Sequence, residues 1–197
     1  MNILDIVIKL GEKYYFGRGK DHAFKVRDLA LKIFDETRRL ELHDMKSRER
    51  LWLEIAAILH DIGVYIGEEH NKYSRKLILS SNKLKEVLNP LDIEAIGWIA
   101  FFHRKRPNPL TCKSPEWKKF ETNKDTVVRL VAILRIADAL DRSLTQIVDN
   151  VEIEKRNNKI LIKVYSNKDV SIEVERACEK AQLFQKIFKV KVEIKQI

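Results

Sequence analysis

A histidine and an aspartate stand side by side at His60-Asp61, directly after an apolar run over residues 51–59. The run is apolar on nearly every side, which predicts a buried helix with the pair near its inner end. A buried carboxylate needs a partner or a cation. Imidazole and carboxylate groups are both ligands for divalent metals. Gly63 fits the position just beyond a helix C-terminus, so the pair predicts a metal site at a helix end.

Two more polar residues occupy apolar helical patterns. His22 lies one turn before Val26 on the apolar face of a predicted helix, and Asp138 lies within the apolar run 127–140. A carboxylate inside such a run needs a reason to be there. Taken singly, each residue is also typical of a helix end or a local ion pair. The joint pattern favours metal ligation by His22, His60, Asp61 and Asp138.

The donor types narrow the choice of metal. A mixed imidazole and carboxylate shell suits Mn²⁺, Mg²⁺, Fe²⁺, Co²⁺ or Ni²⁺, whereas a structural zinc site favours thiolates. Cys112 and Cys178 are far apart and have no CxxC spacing, so neither a disulfide framework nor a zinc knuckle is indicated. We expect one divalent ion, and the sequence leaves open whether a second ion binds.

Composition and periodicity predict the architecture that positions these residues. The chain has 197 residues, 45% of them hydrophobic and 34% charged. This composition is typical of a globular protein with one hydrophobic core, to which a small subdomain can be added. Helical spacing dominates until about residue 148, and strand patterns then flank one further helix. We expect a mainly α protein, with a helical domain at 1–148 and a β-β-α-β subdomain at 149–197.

Several local features follow from cap and breaker residues. Pro107 and Pro109 predict a loop that continues to about residue 123. His43 lies in a polar connection, which predicts a surface position. Helix N-caps are expected at Asp21, Ser47, Asn89 and Asp125.

The net charge of +9 is concentrated in two segments, residues 9–27 and 103–124. Each segment brackets a histidine, His22 in the first and His103 in the second. A positive field around a site attracts anions. Two solvated basic faces would explain the same charge distribution.

Targeting and membrane signals are lacking in this sequence. No apolar run approaches the roughly 20 residues that a membrane helix needs. The N-terminus has neither a basic region nor a small-residue cleavage site. We therefore expect a cytoplasmic protein.

The H…HD…D pattern resembles that of HD-domain metal-dependent phosphohydrolases. Three segments, residues 70–74, 102–105 and 134–143, look more closely like the C-terminal HD-like region of the exopolyphosphatase/guanosine pentaphosphate phosphatase family. The resemblance runs from about residue 15 to the C-terminus and implies an HD-type helical bundle. Tyr73 departs from it, since many relatives carry a second histidine there. The sequence does not include the family's actin-like phosphatase domain, so that domain's activity is not carried over.

The resemblance implies a metal-dependent phosphohydrolase that acts on a nucleotide or another small phosphorylated anion. Asp61, His70 and His103 would take part in catalysis. The two histidines resemble those of two-metal HD proteins, and they would hold a second ion, contact phosphate or pass a proton. Residues expected to bind phosphate are Lys72, Arg104, Lys105 and Arg142.

Two other functions fit the same residues. One is a non-catalytic module that binds polyphosphate or a ligand like guanosine tetraphosphate. The other is nucleic-acid binding through the basic segments, which ranks last because aromatic residues do not interleave with them in any recognisable motif. No membrane partner is expected, and a homodimer is left open.

Overall fold

The computed structural model describes residues 2–197. This part of the chain is mainly helical, with a small three-stranded sheet near the C-terminus. In chain order the elements are α1 (Ile3–Lys13), α2 (Lys20–Arg39), α3 (Ser47–Leu59), α4 (His70–Ser80), α5 (Asn82–Val87), α6 (Pro90–Phe102), α7 (Pro115–Lys119), α8 (Lys124–Ala139), β1 (Asn150–Arg156), β2 (Lys159–Tyr165), α9 (Ser171–Phe188) and β3 (Lys191–Gln196).

Three helices with apolar residues on nearly all sides form the centre of the helical part. They are α3, α6 and α8, and they pack against one another. Trp52, Trp98 and Leu134 are among their side chains with 2% exposure or less. The amphipathic helix α2 covers α3 and α8 with Val26, Ile33 and neighbouring residues. This burial confirms the prediction that the helix before His60-Asp61 is an interior helix.

The three strands form a mixed sheet in the order β1-β2-β3. β1 and β2 are antiparallel and pair Ile153 with Ile162, and β3 runs parallel to β2. The parallel connection requires a crossover, which α9 provides. Alternate residues of β2 (Ile160, Ile162 and Val164) are buried in the hydrophobic core. The β-β-α-β order read from the sequence is confirmed.

The sheet segment packs directly on the helical part. α9 lies along α8, and β1 contacts α2. Residues from both sides of position 149 belong to one hydrophobic core cluster. The division into domains at that position stays a prediction, but the contact has a consequence: α9 can place side chains beside the end of α8. None of the helices in residues 2–197 combines the length and the apolar character needed to cross a bilayer.

Some predicted helix starts were wrong by one or two residues. Asn89 does cap α6, accepting a hydrogen bond from the Asp92 backbone at 2.9 Å. The N-cap positions of α2, α3 and α8 are instead Gly19, Lys46 and Asn123. Asp21, Ser47 and Asp125 lie inside the first turns, where carboxylates and hydroxyls still suit the helix N-terminus.

The irregular loop expected over residues 107–123 contains a short helix. Ser114 accepts a hydrogen bond from the Trp117 backbone at 3.1 Å and so caps α7. The indole Nε1 of Trp117 donates to the carbonyl of Pro109 at 2.8 Å. This buried tryptophan, 2% exposed, attaches the loop to the core beside Trp98.

The prediction that His43 lies on the surface was wrong, since its exposed fraction is 8%. Its ring packs 4.7 Å from that of Phe34 and lies near Phe188 of α9. Its Nε2 lies 3.2 Å from the carbonyl oxygen of Phe34 and 3.1 Å from the hydroxyl of Thr37. Burial lowers the pKa of His43 to about 4. The polar sequence around it gave no sign that these aromatic neighbours would enclose it.

We predict that His43 contributes to acid sensitivity of the fold. Its pKa is about 4 in the folded state and about 6.5 when unfolded, so the unfolded chain takes up a proton first. Stability is therefore present above pH ~6.5 and is lost as the pH falls towards 4. Urea unfolding of the wild type and of His43→Gln across this range should show a shallower pH dependence for the variant. Equal slopes would contradict the assignment.

Candidate metal centre

The four predicted ligands come together because three helix ends converge. His22 lies in the first turn of α2, His60 is the C-terminal cap of α3 with Asp61 next to it, and Asp138 lies in the last turn of α8. The three residues other than Asp138 are at most 2% exposed, whereas the side chain of Asp138 keeps 22% of its surface. The four residues are thus shielded from solvent on the core side, and solvent reaches them at Asp138.

Two imidazole nitrogens face two carboxylate oxygens across a small gap. His22 Nε2 is 3.8 Å from both Asp61 Oδ2 and Asp138 Oδ1. His60 Nε2 is 3.5 Å from Asp61 Oδ2 and 3.6 Å from Asp138 Oδ1. These separations are long for hydrogen bonds. They are close to the roughly 3.0–3.6 Å that separates donors bound at about 2.0–2.2 Å to one metal ion.

The other ring nitrogens fix the tautomers that a metal site requires. Nδ1 of His60 contacts the carbonyl oxygen of Ala57 at 2.7 Å, and a carbonyl can only accept. Nδ1 of His22 is 2.8 Å from a carboxylate oxygen of Asp141. In neutral imidazoles, N–H groups at these positions leave a lone pair on each Nε2. Asp141 therefore acts on the site by orienting His22.

Buried polar atoms in this set lack hydrogen-bond partners. They are Nε2 of His22, Nε2 of His60 and Oδ1 of Asp61. Leaving such atoms unsatisfied is costly in a folded protein. A divalent cation would satisfy the two nitrogens together. His22, His60 and Asp61, which we call the first set, have ligand atoms spaced suitably for one ion. The residues present therefore fit a metal ion.

A second set of donors shares Asp61 through its other oxygen. Asp61 Oδ1 is 3.2 Å from His70 Nε2 and 3.4 Å from His103 Nε2. The two histidine nitrogens are 3.2 Å apart. His103 Nδ1 donates to the carbonyl of Ala100 at 2.6 Å, which repeats the arrangement of His60 at the end of α3. Asp61 thus lies between two groups with metal-ligand spacing.

The electrostatics of the first set favour a positive charge at its centre. Burial opposes protonation of His60, but the carboxylates of Asp61 and Asp138 outweigh it and raise its pKa to about 9. Burial also opposes ionisation of Asp61, yet His60 and His103 hold its pKa well below the usual range. The pKa of Asp138 is lowered too, by His60 and Lys180 against the effect of burial. A proton and a metal ion would compete for this position.

Gly17 and Gly63 allow backbone segments to approach the site closely. Gly17 has φ +74°, and a Cβ there would come 1.9 Å from the carbonyl oxygen of Asp61. A Cβ on Gly63 would meet the carbonyl of His70 at 2.3 Å. Gly63 is thus required by the packing of α4 rather than by a left-handed helix cap. Gly17 lets the turn before α2 cover Asp61.

A cleft of about 600 Å³ opens over the two donor sets, and we call it the basic cleft. Besides Asp61 and Asp138, its charged lining consists of cations, which makes it attractive to anions. Its lining residues are Arg18, Asp61, His70, His103, Arg104, Lys105, Arg106, Asp138, Arg142 and Lys180.

Three of the four predicted phosphate-binding residues lie in the basic cleft, namely Arg104, Lys105 and Arg142. Lys72 does not line it, and its Nζ pairs with the carboxylate of exposed Glu69 at 2.6 Å. Lys72 lies two positions after His70 in α4. Two positions along a helix turn the side chain by about 200°, so the two residues face apart.

Sequence reasoning missed four residues that the structure places at the site. Arg18 Nε is 2.8 Å from Asp61 Oδ2, and Lys180 Nζ is 3.7 Å from Asp138 Oδ2. Arg18 and Arg106 lie in the basic segments, and Asp141 is one turn after Asp138, so spacing could have indicated them. Lys180 had no such signal, because only the packing of α9 on α8 brings it to the cleft.

The fold and site define a mainly helical protein with a buried histidine and aspartate centre at the base of a basic cleft. The family model described as Ppx/GppA phosphatase, domain III, matches residues 6–185. The chain therefore belongs to this family. This membership associates it with phosphatases of polyphosphate and guanosine pentaphosphate. A comparison with curated proteins gave no match.

We predict that Asp141 strengthens metal binding through His22. Asp141→Asn removes the charge beside Nδ1 while keeping the volume, and loss of such a partner typically weakens metal affinity by about 10–100-fold. Metal titration by calorimetry should show this loss, while the exposed Asp149→Asn makes the same charge change without effect. Equal affinities for the wild type and Asp141→Asn would contradict the role.

Proposed function

We propose that this protein is an HD-type metal-dependent phosphohydrolase that acts on a nucleotide or another small phosphorylated anion. The observation that carries the proposal is the bridging position of Asp61. One of its oxygens faces His22 and His60, and the other faces His70 and His103, at 3.2–3.8 Å. Two-metal phosphohydrolase sites use shared ligands of this kind to hold ions about 3.5–4 Å apart.

The residues divide into metal-holding and phosphate-binding groups. His22, His60, Asp61 and Asp138 would hold the first ion, and His70 and His103 would complete a second position with Asp61. When bound, a divalent ion supplies Lewis acidity that polarises a phosphoryl oxygen and activates water. The ligands themselves provide buried negative charge that retains the cation, and the core side of the cleft excludes bulk water.

The cations around the cleft bind and orient the substrate. Lys180 lies beside Asp138, at the open side of the donor set, and Arg142 lines the same cleft. Guanidinium and ammonium groups there can hold phosphate oxygens and stabilise the charge that develops on them. Arg18, which pairs with Asp61 at 2.8 Å, also lines the cleft and would contact a phosphate there. The substrate phosphate would therefore lie between the donor sets and the cleft rim.

A non-catalytic anion-binding module is the second candidate, and the same Arg18 contact favours it. The guanidinium already neutralises Asp61 Oδ2, and Lys180 approaches Asp138. A site in which side-chain cations permanently replace the metal would still bind anions through its rim. Such a module would bind polyphosphate or a (p)ppGpp-like ligand without consuming it.

We expect metal-dependent phosphate release from at least one member of a panel of nucleotides, sugar phosphates and polyphosphate. His60→Gln and Asp61→Asn should lower the rate by about 100-fold or more, because Lewis-acid stabilisation is worth several kcal/mol. The matched control is His43→Gln, which changes a buried histidine outside the cluster and should leave the rate unchanged.

Two results would contradict catalysis. One is the absence of phosphate release from every compound with each of Mn²⁺, Mg²⁺, Fe²⁺, Co²⁺ and Ni²⁺. The other is full activity in His60→Gln, which would assign any observed release to a contaminant. Binding of an intact phosphorylated ligand in the first case would support the non-catalytic module.

A further inference from the structure

Two exposed tyrosines form an aromatic pair near the metal centre. Tyr15 is 73% exposed and Tyr65 is 72% exposed. Their rings meet edge to face, with centroids 6.0 Å apart and an angle of 76° between the planes. We call these two residues the tyrosine pair. Because an edge-to-face contact covers little of either ring, most of the aromatic surface remains open to a ligand.

The segments that carry the two tyrosines are both attached to the basic cleft. Tyr15 precedes Arg18 by three residues, a span of at most about 11 Å, and Arg18 lines the cleft. In the loop that carries Tyr65, the carbonyl of Glu68 accepts a hydrogen bond at 2.9 Å from Arg104, which also lines the cleft. The tyrosine pair is therefore anchored at the edge of the space proposed for the substrate phosphate.

The backbone holds Tyr15 in a conformation that large side chains rarely adopt. The φ angle is +51° at Tyr15 and +53° at Phe16, in the left-handed region that favours glycine. This turn ends α1, where Phe16 N donates to the carbonyl of Gly11 at 2.8 Å, and glycine is the usual residue at such a helix end. Phe16 is 3% exposed, so core packing explains its presence. Core packing does not explain Tyr15, and backbone strain of this kind is concentrated at ligand sites.

The exposed apolar patch around the tyrosine pair is small and suits a planar ligand group. Ile66 adds one further side chain, 46% exposed, whereas a specific protein interface uses about 20–30 residues on each side. Aromatic side chains stack on every nucleobase, since every base has a π face. The cations of the basic cleft supply the complementary contact with phosphate. An aromatic pair beside a cationic cleft thus matches the two parts of a nucleotide.

We propose that the tyrosine pair binds the base of a nucleotide by stacking while the phosphate lies in the basic cleft. The pair then determines specificity, since it favours nucleotides over sugar phosphates and distinguishes little among the bases. This inference rests on the proposed function for the place of the phosphate. The contribution of the base is measured by binding, so its test does not depend on release of the phosphate.

The test compares ligands that share a phosphate and differ in the base. Calorimetry measures the affinities of the 5′-monophosphates of adenosine, guanosine, cytidine and uridine, and of ribose 5-phosphate. The His60→Gln background prevents turnover of the probes. Tyr15→Leu/Tyr65→Leu removes both rings but keeps apolar side chains, whereas Tyr15→Phe/Tyr65→Phe keeps the rings. The control is Tyr165→Leu, which removes a tyrosine from strand β2, outside the cleft.

Each nucleotide should bind about tenfold or more tightly than ribose 5-phosphate, because stacking of one base on aromatic side chains contributes a factor of this order. The leucine variant should lose this difference while its affinity for ribose 5-phosphate stays the same. The phenylalanine variant and the control should keep the difference.

Three results would overturn the proposal. The first is that nucleotides bind no more tightly than ribose 5-phosphate. The second is an equal loss of affinity for ribose 5-phosphate in the leucine variant, which would show a structural effect. The third is a change from dimer to monomer in the leucine variant with unchanged nucleotide affinity, which would assign the pair to a protein interface. Absence of hydrolysis of every nucleotide would contradict only the proposed function.

Discussion

The whole arrangement depends on the need to stabilise one buried carboxylate. Asp61 is 2% exposed, and isolated burial of its charge would be strongly unfavourable. Arg18 contacts one of its oxygens directly, whereas the Nε2 atoms of His22 and His60 stand at distances that suit a shared cation better than hydrogen bonds. The protein therefore concentrates negative charge and nitrogen lone pairs at one point. A metal ion would satisfy them together.

The helical architecture meets this need through its ends. His60 and His103 both follow the last residue of an apolar helix, and each ring is fixed by the carbonyl three residues earlier. The buried helices hold these rings rigidly, which is what metal ligands require. Gly17 then lets a turn close over Asp61, and α9 brings Lys180 to the open side. The C-terminal segment is thus part of the site as well as of the core.

The sequence predicted the central features where local pattern and chemistry agreed. An aspartate in an apolar helical run, such as Asp138, is unusual enough to be informative. Features that depend on contacts between residues far apart in the chain could not be predicted from local sequence patterns. His43 appeared exposed because its neighbours in sequence are polar, yet Phe34 and Phe188 enclose it. Lys180 gave no signal, and Lys72 was assigned to the phosphate site although its helix position turns it away.

Metal analysis of protein purified without chelators shows directly whether the buried histidine and aspartate centre holds an ion. We expect at least one equivalent of a divalent transition metal or Mg²⁺ per chain, retained through gel filtration and lost in His60→Gln but kept in His43→Gln. This expectation would be contradicted by protein that carries no metal and takes up none from Mn²⁺, Fe²⁺, Co²⁺, Ni²⁺ or Mg²⁺. Equal metal content in His60→Gln and the wild type would contradict it as well.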